Sequence, residues 1–539
     1  MCGLCLCVND TAVDIRRLTE CIKHRGPDST GYYTGSRVLC GFNRLAIVDS
    51  NPLSDQPMLD ASGRFLLAFN GEIYNHKRLR AELEANHKVR FSTRSDTEVL
   101  LEGLIAEGTA FIAKLDGIYA FAFVDLNALE VLLARDVFGV KPLYYFSRAD
   151  RLYVSSEIRP LRYVSGADLS MASVARYLSC GIAGNGDAII SGVHELPPNT
   201  IMRFRAGQVI ETAKIHNFIL EGQDTIDIDE LRDVLYETIE SQKPQIPYGV
   251  LFSGGIDSTI ILERCFRDDH FAGAYSLDVN HSDMSERVWQ EHVIEAQQMP
   301  VKYIRIELNR KDFSVENMAN IARELDYPLF HPNFIGSYML TREAAKDGLK
   351  VLLSGEGADE LFLGYRWFFT NGRSSDFVEY VPLQDLQSLL GTESRPACSS
   401  DMNLLETFQR IYLRRWLLRQ DLTGMANSVE IRVPFLGNDV VQLANRLSFE
   451  FKKGNGESKW MLKRLLAKKY PRQFLDRKKM GFDFPLNDWI GEEHYQFLRQ
   501  SAGLFDGEIL RSILDKHEGS FMKNRIVFSL VALVHWLES

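Results

Sequence analysis

The second residue of the chain, Cys2, has the chemistry of a nucleophile that carries its own base. Removal of Met1 would leave Cys2 with a thiol and a free α-amine on one residue. Because an α-amine has an ordinary pKa of about 7.7–8.0, part of it is a free base near neutral pH. A thiol and a proton acceptor are thereby placed together without a separate histidine. Two other interpretations stay open here: Cys2 fills an apolar strand with Cys5 and Cys7, or it forms a metal or redox pair with Cys5, although no second Cys or His pair follows at zinc-ligand spacing.

A glycine-rich turn in the second half has the features of a phosphate-binding loop. Ser253–Ser258 (SGGIDS) follows the apolar run Gly249–Phe252, and a helix is predicted to start at its end. Gly254 and Gly255 let backbone N–H groups approach a phosphate chain, and the helix N-terminus adds positive partial charge. Asp257 is suited to hold Mg²⁺ against pyrophosphate oxygens. The dipeptide Gly-Lys occurs nowhere in the chain, so there is no Walker A loop and γ-phosphate transfer is disfavoured. The alternative is an ordinary capped strand–turn–helix.

A second acidic loop, Ser354–Phe362 (SGEGADELF), follows the predicted strand Lys350–Leu353. The carboxyl ends of parallel strands are where α/β sheets bind ligands. Asp359 and Asp257 would therefore form a carboxylate pair suited to Mg²⁺. An acidic first helical turn, favoured by the helix dipole, is the other interpretation of this loop.

The bulk properties of the chain bound its class. With 539 residues it is too long for one ordinary core, and two to four domains are expected. The composition, 45% hydrophobic and 25% charged, is that of a soluble globular protein, and the net charge of -10 argues against a dedicated nucleic-acid or membrane-surface binder. Eight dispersed cysteines do not form a disulfide framework. Without a signal peptide or a long apolar run, a cytoplasmic location is expected.

The hydrophobic patterning predicts two domains that differ in secondary structure. The first is β-rich, with a helix at Arg94–Glu107 capped by Ser95 or Asp96 and with strands at Phe65–Asn70, Tyr119–Val124 and Glu130–Ala134. A polar stretch at 206–227 is the predicted linker between domains 1–205 and 228–539. Beyond it, strands and helices alternate, which predicts a parallel sheet, and the pattern from about Phe362 is mostly helical. The alternating segments are the strands Gly249–Phe252, Ala272–Leu277, Lys302–Ile306 and Lys350–Leu353, with helices from Ser258, at Glu286–Gln298 and up to Gly348.

Several ordered motifs carry a resemblance that spans essentially the whole chain. In the first half they are Met1–Gly3, His24–Asp28, Arg44–Asp49, Asn70–Asn75, Ser95–Glu98, Leu115–Gly117, Arg135–Asp136 and Gly139–Leu143. In the second half they are Ser253–Ser258, Ser354–Leu361, Val429–Leu436 and Lys478–Trp489. The chain resembles glutamine-hydrolysing asparagine synthetases. The resemblance implies an α+β N-terminal-nucleophile hydrolase-type β-sandwich flanked by helices, a class II glutamine amidotransferase domain. An α/β parallel-sheet ATP-pyrophosphatase domain with a helical C-terminal region would follow it.

By this resemblance the first domain hydrolyses glutamine. Cys2 attacks the side-chain amide, and Asn70 with the Gly71 backbone N–H stabilises the oxyanion, which is the donor pair such a reaction requires. Arg44 would bind the α-carboxylate through a bidentate fork. The implied glutamine-binding residues are Arg44, Ile47, Val48, Asn70, Gly71, Glu72 and Asp96, with Glu72 and Asp96 on the α-amino group.

The second domain would use ATP and Mg²⁺ to activate a carboxylic acid. The implied ATP-binding residues are Leu251, Ser253, Gly254, Gly255, Asp257, Ser258, Ser276, Ser354, Gly355 and Glu356, and the implied metal ligands are Asp257 and Asp359. Lys459 lies where the family has a lysine near the adenylated intermediate, and a cation there could neutralise charge on the acyl phosphate. Lys459 and Glu356 are the expected catalytic residues of this domain, although Lys459 also fits a solvated lysine on a helix.

Several departures from the family pattern leave the acceptor open. Leu363 replaces a glycine, Gly424 a serine and Gly437 a common aspartate, while Gln420–Leu422 stands where Lys-x-Asp-Arg is frequent and Asp326–Pro332 is unusual. The acceptor is aspartate, or another acid such as a nucleotide-sugar uronic acid or a natural-product intermediate. A regulatory protein without catalysis is the third interpretation. The expected partners are small molecules (glutamine, ATP and the acceptor acid), with no nucleic acid and no membrane, and a homodimer is left open. Ammonia would reach the second site through a passage between the domains.

Overall fold

The computed structural model describes residues 2–184, 186–216, 222–281, 284–297, 300–370, 379, 383–390, 392–393, 403–477, 484–501 and 521–539. Its strands in chain order, β1 to β17, are Cys2–Val8, Ser29–Thr34, Val38–Arg44, Met58–Leu59, Phe65–Ile73, Gly117–Asp125, Glu130–Arg135, Tyr144–Arg148, Arg151–Ser155, His194–Glu195, Thr200–Arg205, Gln208–Lys214, Tyr248–Leu251, Phe271–Val279, Tyr303–Leu308, Val351–Leu353 and Glu430–Arg432.

The α-helices of the described residues fall in both halves and dominate the C-terminal region. In chain order, α1 to α21 are Ile15–Glu20, His76–His87, Asp96–Glu107, Ile158–Ser165, Met171–Cys180, Ile228–Gln242, Ile256–Cys265, Arg287–Glu295, Val315–Glu324, Asn333–Lys346, Ala358–Leu361, Leu383–Leu390, Leu404–Thr407, Leu413–Ala426, Asn438–Arg446, Phe449–Lys453, Trp460–Leu466, Arg472–Leu475, Leu486–Trp489, Glu492–Gln500 and Phe521–Glu538. A π-helical turn, Phe408–Tyr412, joins α13 to α14. None of these helices combines the length and apolar character needed to cross a bilayer.

The first half contains two six-stranded sheets, ordered β10-β8-β9-β1-β3-β2 and β12-β11-β7-β6-β5-β4, with antiparallel pairing between neighbouring strands. Side chains from both sheets, including Leu4, Phe42, Leu66 and Ala122, form one shared core. The alternate residues of β5, such as Phe69, enter a second core with helices α2 and α3. Strands buried on both faces read as continuous apolar runs, which is why the sequence shows runs rather than alternation.

The predicted helix and strands of the first half are present. The helix predicted at Arg94–Glu107 begins at Asp96, and Ser95 caps it by accepting a hydrogen bond from the Glu98 N–H. The linker region differs from expectation, because Gln208–Lys214 forms the edge strand β12 and pairs with β11. Because the side chains of an exposed edge strand are often polar, the composition of this segment resembles that of a linker. Residues 217–221 of the predicted linker lie outside the described residues.

The second half contains a parallel five-stranded sheet ordered β15-β14-β13-β16-β17. From the central strand β13, the chain adds β14 and β15 on one side of the sheet. It then crosses back and adds β16 and β17 on the other side of β13. Such a reversal of strand order opens a crevice at the carboxyl ends of the two central strands. The loops Ser253–Ser258 and Ser354–Phe362 follow β13 and β16, so the fold places both predicted phosphate-site loops at this crevice. Residues 478–483 of the motif Lys478–Trp489 lie outside the described residues.

Candidate active sites

A pocket in the first half has the predicted nucleophile Cys2 in its wall. It is lined by Cys2, Arg44, Leu45, Ile47, Val48, Asp49, Gln56, Phe69, Gly71, Glu72, Ser95, Asp96, Thr97 and Glu430. Cys2 begins β1, where it lies opposite Arg44 of β3. The pocket therefore gathers the predicted nucleophile and six of the seven predicted glutamine-binding residues around one cavity, and Glu430 joins them from the second half.

The geometry next to Cys2 provides donors for an oxyanion. The Cys2 backbone nitrogen donates to Asn70 Oδ1 at 2.9 Å. The Asn70 Nδ2 group is buried and has no hydrogen-bond partner among the described residues. The neighbouring Gly71 lies so close to β6 that a Cβ atom would be 2.1 Å from the Ile118 carbonyl oxygen. Only glycine fits that position, and the Asn70 Nδ2 group keeps its donor capacity next to Cys2.

The Cys2 thiol is not a thiolate by default. Burial raises its pKa, while a hydrogen bond from the Leu45 backbone and the charge of Arg44 act in the opposite direction. A thiol with a raised pKa needs a base for deprotonation, and the α-amine of a terminal Cys2 is such a base. Cys5 lies in a different core from Cys2, on the other side of the strand, so the two do not face a common ion.

The polar residues of the pocket are held by neighbours. Arg44 donates to Asp55 Oδ1 at 2.7 Å and to the carbonyl oxygens of Asp49 and Asn51. Asp96 accepts from the Ile73 N–H at 3.0 Å, and burial raises the pKa of its carboxyl. These contacts leave the side chains fixed in the wall of the pocket.

Glu72 has a partner that the sequence did not indicate. Its carboxylate forms a buried ion pair with Arg432 of β17, and Glu430 of the same strand lines the pocket. Sequence reasoning missed both residues because Val429–Leu436 was assigned to the second domain alone. Glu430 and Arg432 are charged residues in a short, otherwise apolar strand. Because buried charges need partners, this pattern could have identified them as contact residues.

The glycine-rich turn after β13 has the shape of an anion cradle. Gly254 has φ +75°, a conformation that favours glycine, and Arg477 Nη2 donates to its carbonyl oxygen at 2.9 Å. The Ser258 hydroxyl bridges the turn by accepting from the Ser253 N–H at 3.2 Å. Helix α7 begins at Ile256, so the N–H groups of its first turn point toward this turn. Ser276 of β14 donates to the Phe252 carbonyl oxygen and so ties the turn to the next strand.

The second loop is in contact with the first. A Cβ atom at Gly355 would be 2.9 Å from the Asp257 Cβ atom, so the loops touch where glycine is required. Lys459 Nζ lies 2.5 Å from Asp257 Oδ2 and 2.6 Å from Asp359 Oδ1, and thus bridges the two predicted metal ligands. Burial by itself lowers the pKa of Lys459, but the two carboxylates outweigh it and the pKa is raised. Two carboxylates that converge on one cation are a donor set that fits Mg²⁺.

Glu356, the other predicted catalytic residue, is held by helix α14. Its carboxylate accepts from Arg419 Nη2 at 2.8 Å and from Gln420 Nε2 at 2.7 Å, and Gln420 Nε2 also lies 2.8 Å from the Ser354 hydroxyl.

Leu363 adopts φ +54°, which explains why a glycine is usual at that position.

The same helix α14 is connected to the predicted nucleophile Cys2 through Arg25. Arg25 Nε donates to the Cys2 carbonyl oxygen at 3.1 Å, and its Nη1 lies 2.9 Å from Asp421 Oδ2 of α14. Arg25 Nη1 also donates to Glu157 at 3.0 Å, and all three side chains are buried. Consecutive residues of one helix therefore hold Glu356 in the second site and, through Arg25, the backbone of the nucleophile in the first.

Comparisons with known proteins agree with this division. A model described as "Glutamine amidotransferase domain" matches residues 1–215, and one described as "Asparagine synthase" matches residues 230–538. The chain thus joins an amidotransferase domain to a synthase domain. It is 30% identical to asparagine synthetase [glutamine-hydrolyzing] 1 of Bacillus subtilis (97% of this chain, 93% of the relative). It is 27% identical to asparagine synthetase B of Escherichia coli (92% and 83%) and to asparagine synthetase 3 of B. subtilis (97% and 95%). The chain belongs to the glutamine-hydrolysing asparagine synthetase family.

Proposed function

We propose that the chain is an ATP-dependent carbon–nitrogen ligase that uses glutamine as amido donor and makes asparagine from aspartate. The observation that carries the proposal is the pairing of two sites in one chain. A buried Cys2 lies beside Asn70 in a pocket of glutamine-binding character, and Lys459 bridges two carboxylates at the crevice of a parallel sheet. The proposed domains are an amidotransferase at 1–205, built as an N-terminal-nucleophile hydrolase-type sandwich, a linker at 206–227 and a synthetase at 228–539.

In the first site, Cys2 attacks the glutamine side-chain amide. The α-amine of the processed terminus takes the thiol proton, because the buried thiol does not ionise by itself. The oxyanion that forms is stabilised by the Asn70 amide and the Gly71 N–H. Arg44 binds the α-carboxylate, while Asp96 and Glu72 bind the α-amino group. Collapse of the tetrahedral intermediate releases ammonia, and water then hydrolyses the thioester to glutamate.

In the second site, the acceptor carboxylate attacks the α-phosphorus of ATP and pyrophosphate leaves. The backbone N–H groups of Ser253–Ser258 and the start of α7 bind the phosphates. Asp257 and Asp359 would hold Mg²⁺, which offsets the charge of the departing pyrophosphate when it is bound. Lys459 stabilises charge on the acyl phosphate during attack by ammonia, which displaces AMP and forms the amide.

Ammonia has to reach the second site neutral and shielded from water. The buried contacts of Arg25 with Cys2 and with Asp421 connect the first site to helix α14, whose residues contact Glu356, and the proposed passage follows this interface. An isolated synthetase domain would lose these contacts, so the full chain with an inactive first site is the better material for testing ammonium-dependent synthesis.

The same chemistry on a different carboxylic acid is the second candidate. Gln420, which departs from the family pattern, contacts Glu356 directly, so this departure lies at the predicted second site and leaves the acceptor open. A nucleotide-sugar uronic acid or a natural-product intermediate would use the same adenylation step.

The test is pyrophosphate release from Mg-ATP and glutamine, with and without L-aspartate, alongside chromatographic detection of asparagine. Aspartate-dependent pyrophosphate with a matching amount of asparagine is expected. Glutamine hydrolysis without aspartate-dependent pyrophosphate would reject aspartate as the acceptor and favour the second candidate.

A further inference from the structure

Strand β17 belongs to the synthetase sheet, yet its side chains reach the glutamine pocket. Glu430 and Arg432 are fully buried, and Glu430 lines the same cavity as Cys2 and Asp96. The strand pairs in parallel with β16, so its backbone is part of the second half while its carboxylate forms part of the first site.

Arg432 holds two carboxylates in a fixed arrangement. Its Nε donates to Glu430 Oε1 at 2.6 Å, its Nη2 donates to Glu72, and its Nη1 donates to the Gln242 carbonyl oxygen at 2.7 Å. The planar guanidinium presents its donors in a rigid fork, so it sets the direction of both carboxylates at once. A lysine could not reproduce these three contacts from one position.

The charges of this cluster match one feature of glutamine. The two carboxyl groups of Glu72 and Glu430 share the one guanidinium of Arg432, so the direct contacts of this cluster hold more acidic than basic side chains. Burial lowers the pKa of Arg432 to about 9, so the guanidinium is still charged near neutral pH. The opposite group on free glutamine is its α-ammonium, while its α-carboxylate is complementary to Arg44. An uncharged side-chain amide would not require an excess of acidic side chains here.

The backbone of the same strand holds the second site. The Arg432 carbonyl oxygen accepts from the Ser354 N–H at 2.9 Å, and the Ser354 hydroxyl is bonded to Gln420, which binds Glu356. A single residue thus contacts the glutamine pocket through its side chain and the first residue of the acidic loop through its main chain.

We infer that Glu430 is a further glutamine-binding residue, which accepts from the α-ammonium together with Glu72, and that Arg432 is a positioning residue for both carboxylates. The inference rests on the proposed function of the first site. It makes the glutamine pocket a composite of the two halves, in which the synthetase sheet supplies part of the recognition of the amido donor.

The test uses the full chain with Glu430→Gln and Arg432→Lys, and with Glu295→Gln at the exposed end of α8 as a matched control. Glutamate release gives KM and kcat for glutamine. Labelling of Cys2 by 6-diazo-5-oxo-L-norleucine, a diazoketone analogue of glutamine, is compared by mass spectrometry with labelling by iodoacetamide. The first reagent reports glutamine recognition, and the second reports only the accessibility and reactivity of the thiol.

Glu430→Gln is expected to raise KM about 10- to 100-fold, as for loss of one charge-assisted hydrogen bond, with kcat changed much less. Diazoketone labelling slows in proportion, and iodoacetamide labelling is not slowed. Arg432→Lys raises KM in the same direction, and Glu295→Gln leaves it unchanged. An unchanged KM for Glu430→Gln, or equal slowing with both reagents, would overturn the inference. A wild-type chain that neither hydrolyses glutamine nor reacts with the diazoketone would instead overturn the proposed function.

Discussion

The two sites of this chain are built from different structural material. The predicted glutamine site is carried by strands, with Cys2 on β1 and Asn70 on β5, and its charged side chains Arg44, Glu72 and Asp96 are paired with other protein groups. The predicted synthetase site is carried by loops that need glycine, and the carboxylates of Asp257 and Asp359 converge on the buried ammonium group of Lys459. Attack on a neutral amide requires a nucleophile at a fixed distance from its donors. Binding a highly charged nucleotide instead requires backbone donors and cations that offset the phosphate charge.

The largest effect is expected when the predicted nucleophile is removed, which tests whether the two sites act separately. Cys2→Ala should lower glutamine-dependent synthesis about a thousandfold or more, because the attacking atom is gone. Ammonium-dependent synthesis should persist, since the second site is untouched. The measurement is asparagine formed with glutamine or with ammonium chloride as nitrogen source. Equal loss with both sources would contradict the two-site division.

Asp257→Asn tests the separation of the two sites by impairing the second site instead of the first. The substitution removes one of the two carboxylates that converge on Lys459, and pyrophosphate release should fall by about a hundredfold. Glutamine hydrolysis should be retained, because Asp257 lies in the synthetase crevice. Pyrophosphate release and glutamate release are measured on the same preparation. Unchanged pyrophosphate release would show that Asp257 is no essential ligand.

The contact between the sites is the target of Asp421→Asn. The buried Arg25 would keep Glu157 but lose one of its two carboxylate partners, and breaking a buried ion pair costs about 3–5 kcal/mol. A lower midpoint of thermal unfolding is expected. If α14 also couples the sites, more glutamate should form for each asparagine. A one-to-one ratio with lowered stability would limit Asp421 to a structural role.

The smallest expected effect concerns pH and stability at the synthetase loop. Burial, together with Asp359 and Glu356, raises the pKa of Glu360 from 4.5 to about 8. The folded state therefore favours the protonated acid, and the contribution to stability falls as pH rises from about 5 to 8. Glu360→Gln removes this dependence and should stabilise the chain by about 2–4 kcal/mol at pH 8, but little at pH 5.

Urea unfolding midpoints at the two pH values measure the effect of Glu360→Gln, with Glu295→Gln as the exposed control. A shift of the same size at pH 5 and pH 8 would show that ionisation of Glu360 is not its cause.

Much of the fold was predictable because local patterns and topology agreed. The parallel strands and the loops that follow them were evident from apolar runs that end in glycine and acidic residues, and the strand–helix alternation predicted their sheet. Strand β12 was missed because an edge strand with exposed side chains has the composition of a linker.

The site was less predictable where it depends on contacts between distant segments. Cys2, Asn70 and Gly71 belong to motifs, and the structure brings them together. The pairing of Glu72 with Arg432 joins residues 360 positions apart, and no local pattern encodes such a contact. The same applies to the bridge that Lys459 makes between Asp257 and Asp359.

The ion pair between Arg25 and Asp421 has a consequence for recombination among relatives. Its two charges come from opposite halves of the chain and are both withdrawn from water. A chimera that combines this amidotransferase half with a foreign synthetase half would bury Arg25 against whatever residue that half carries at the position of Asp421. Exchange of halves is therefore expected to succeed only when both members of the pair are transferred together. A chimera should be designed so that these two charges remain matched, whatever position in the linker is chosen for the junction.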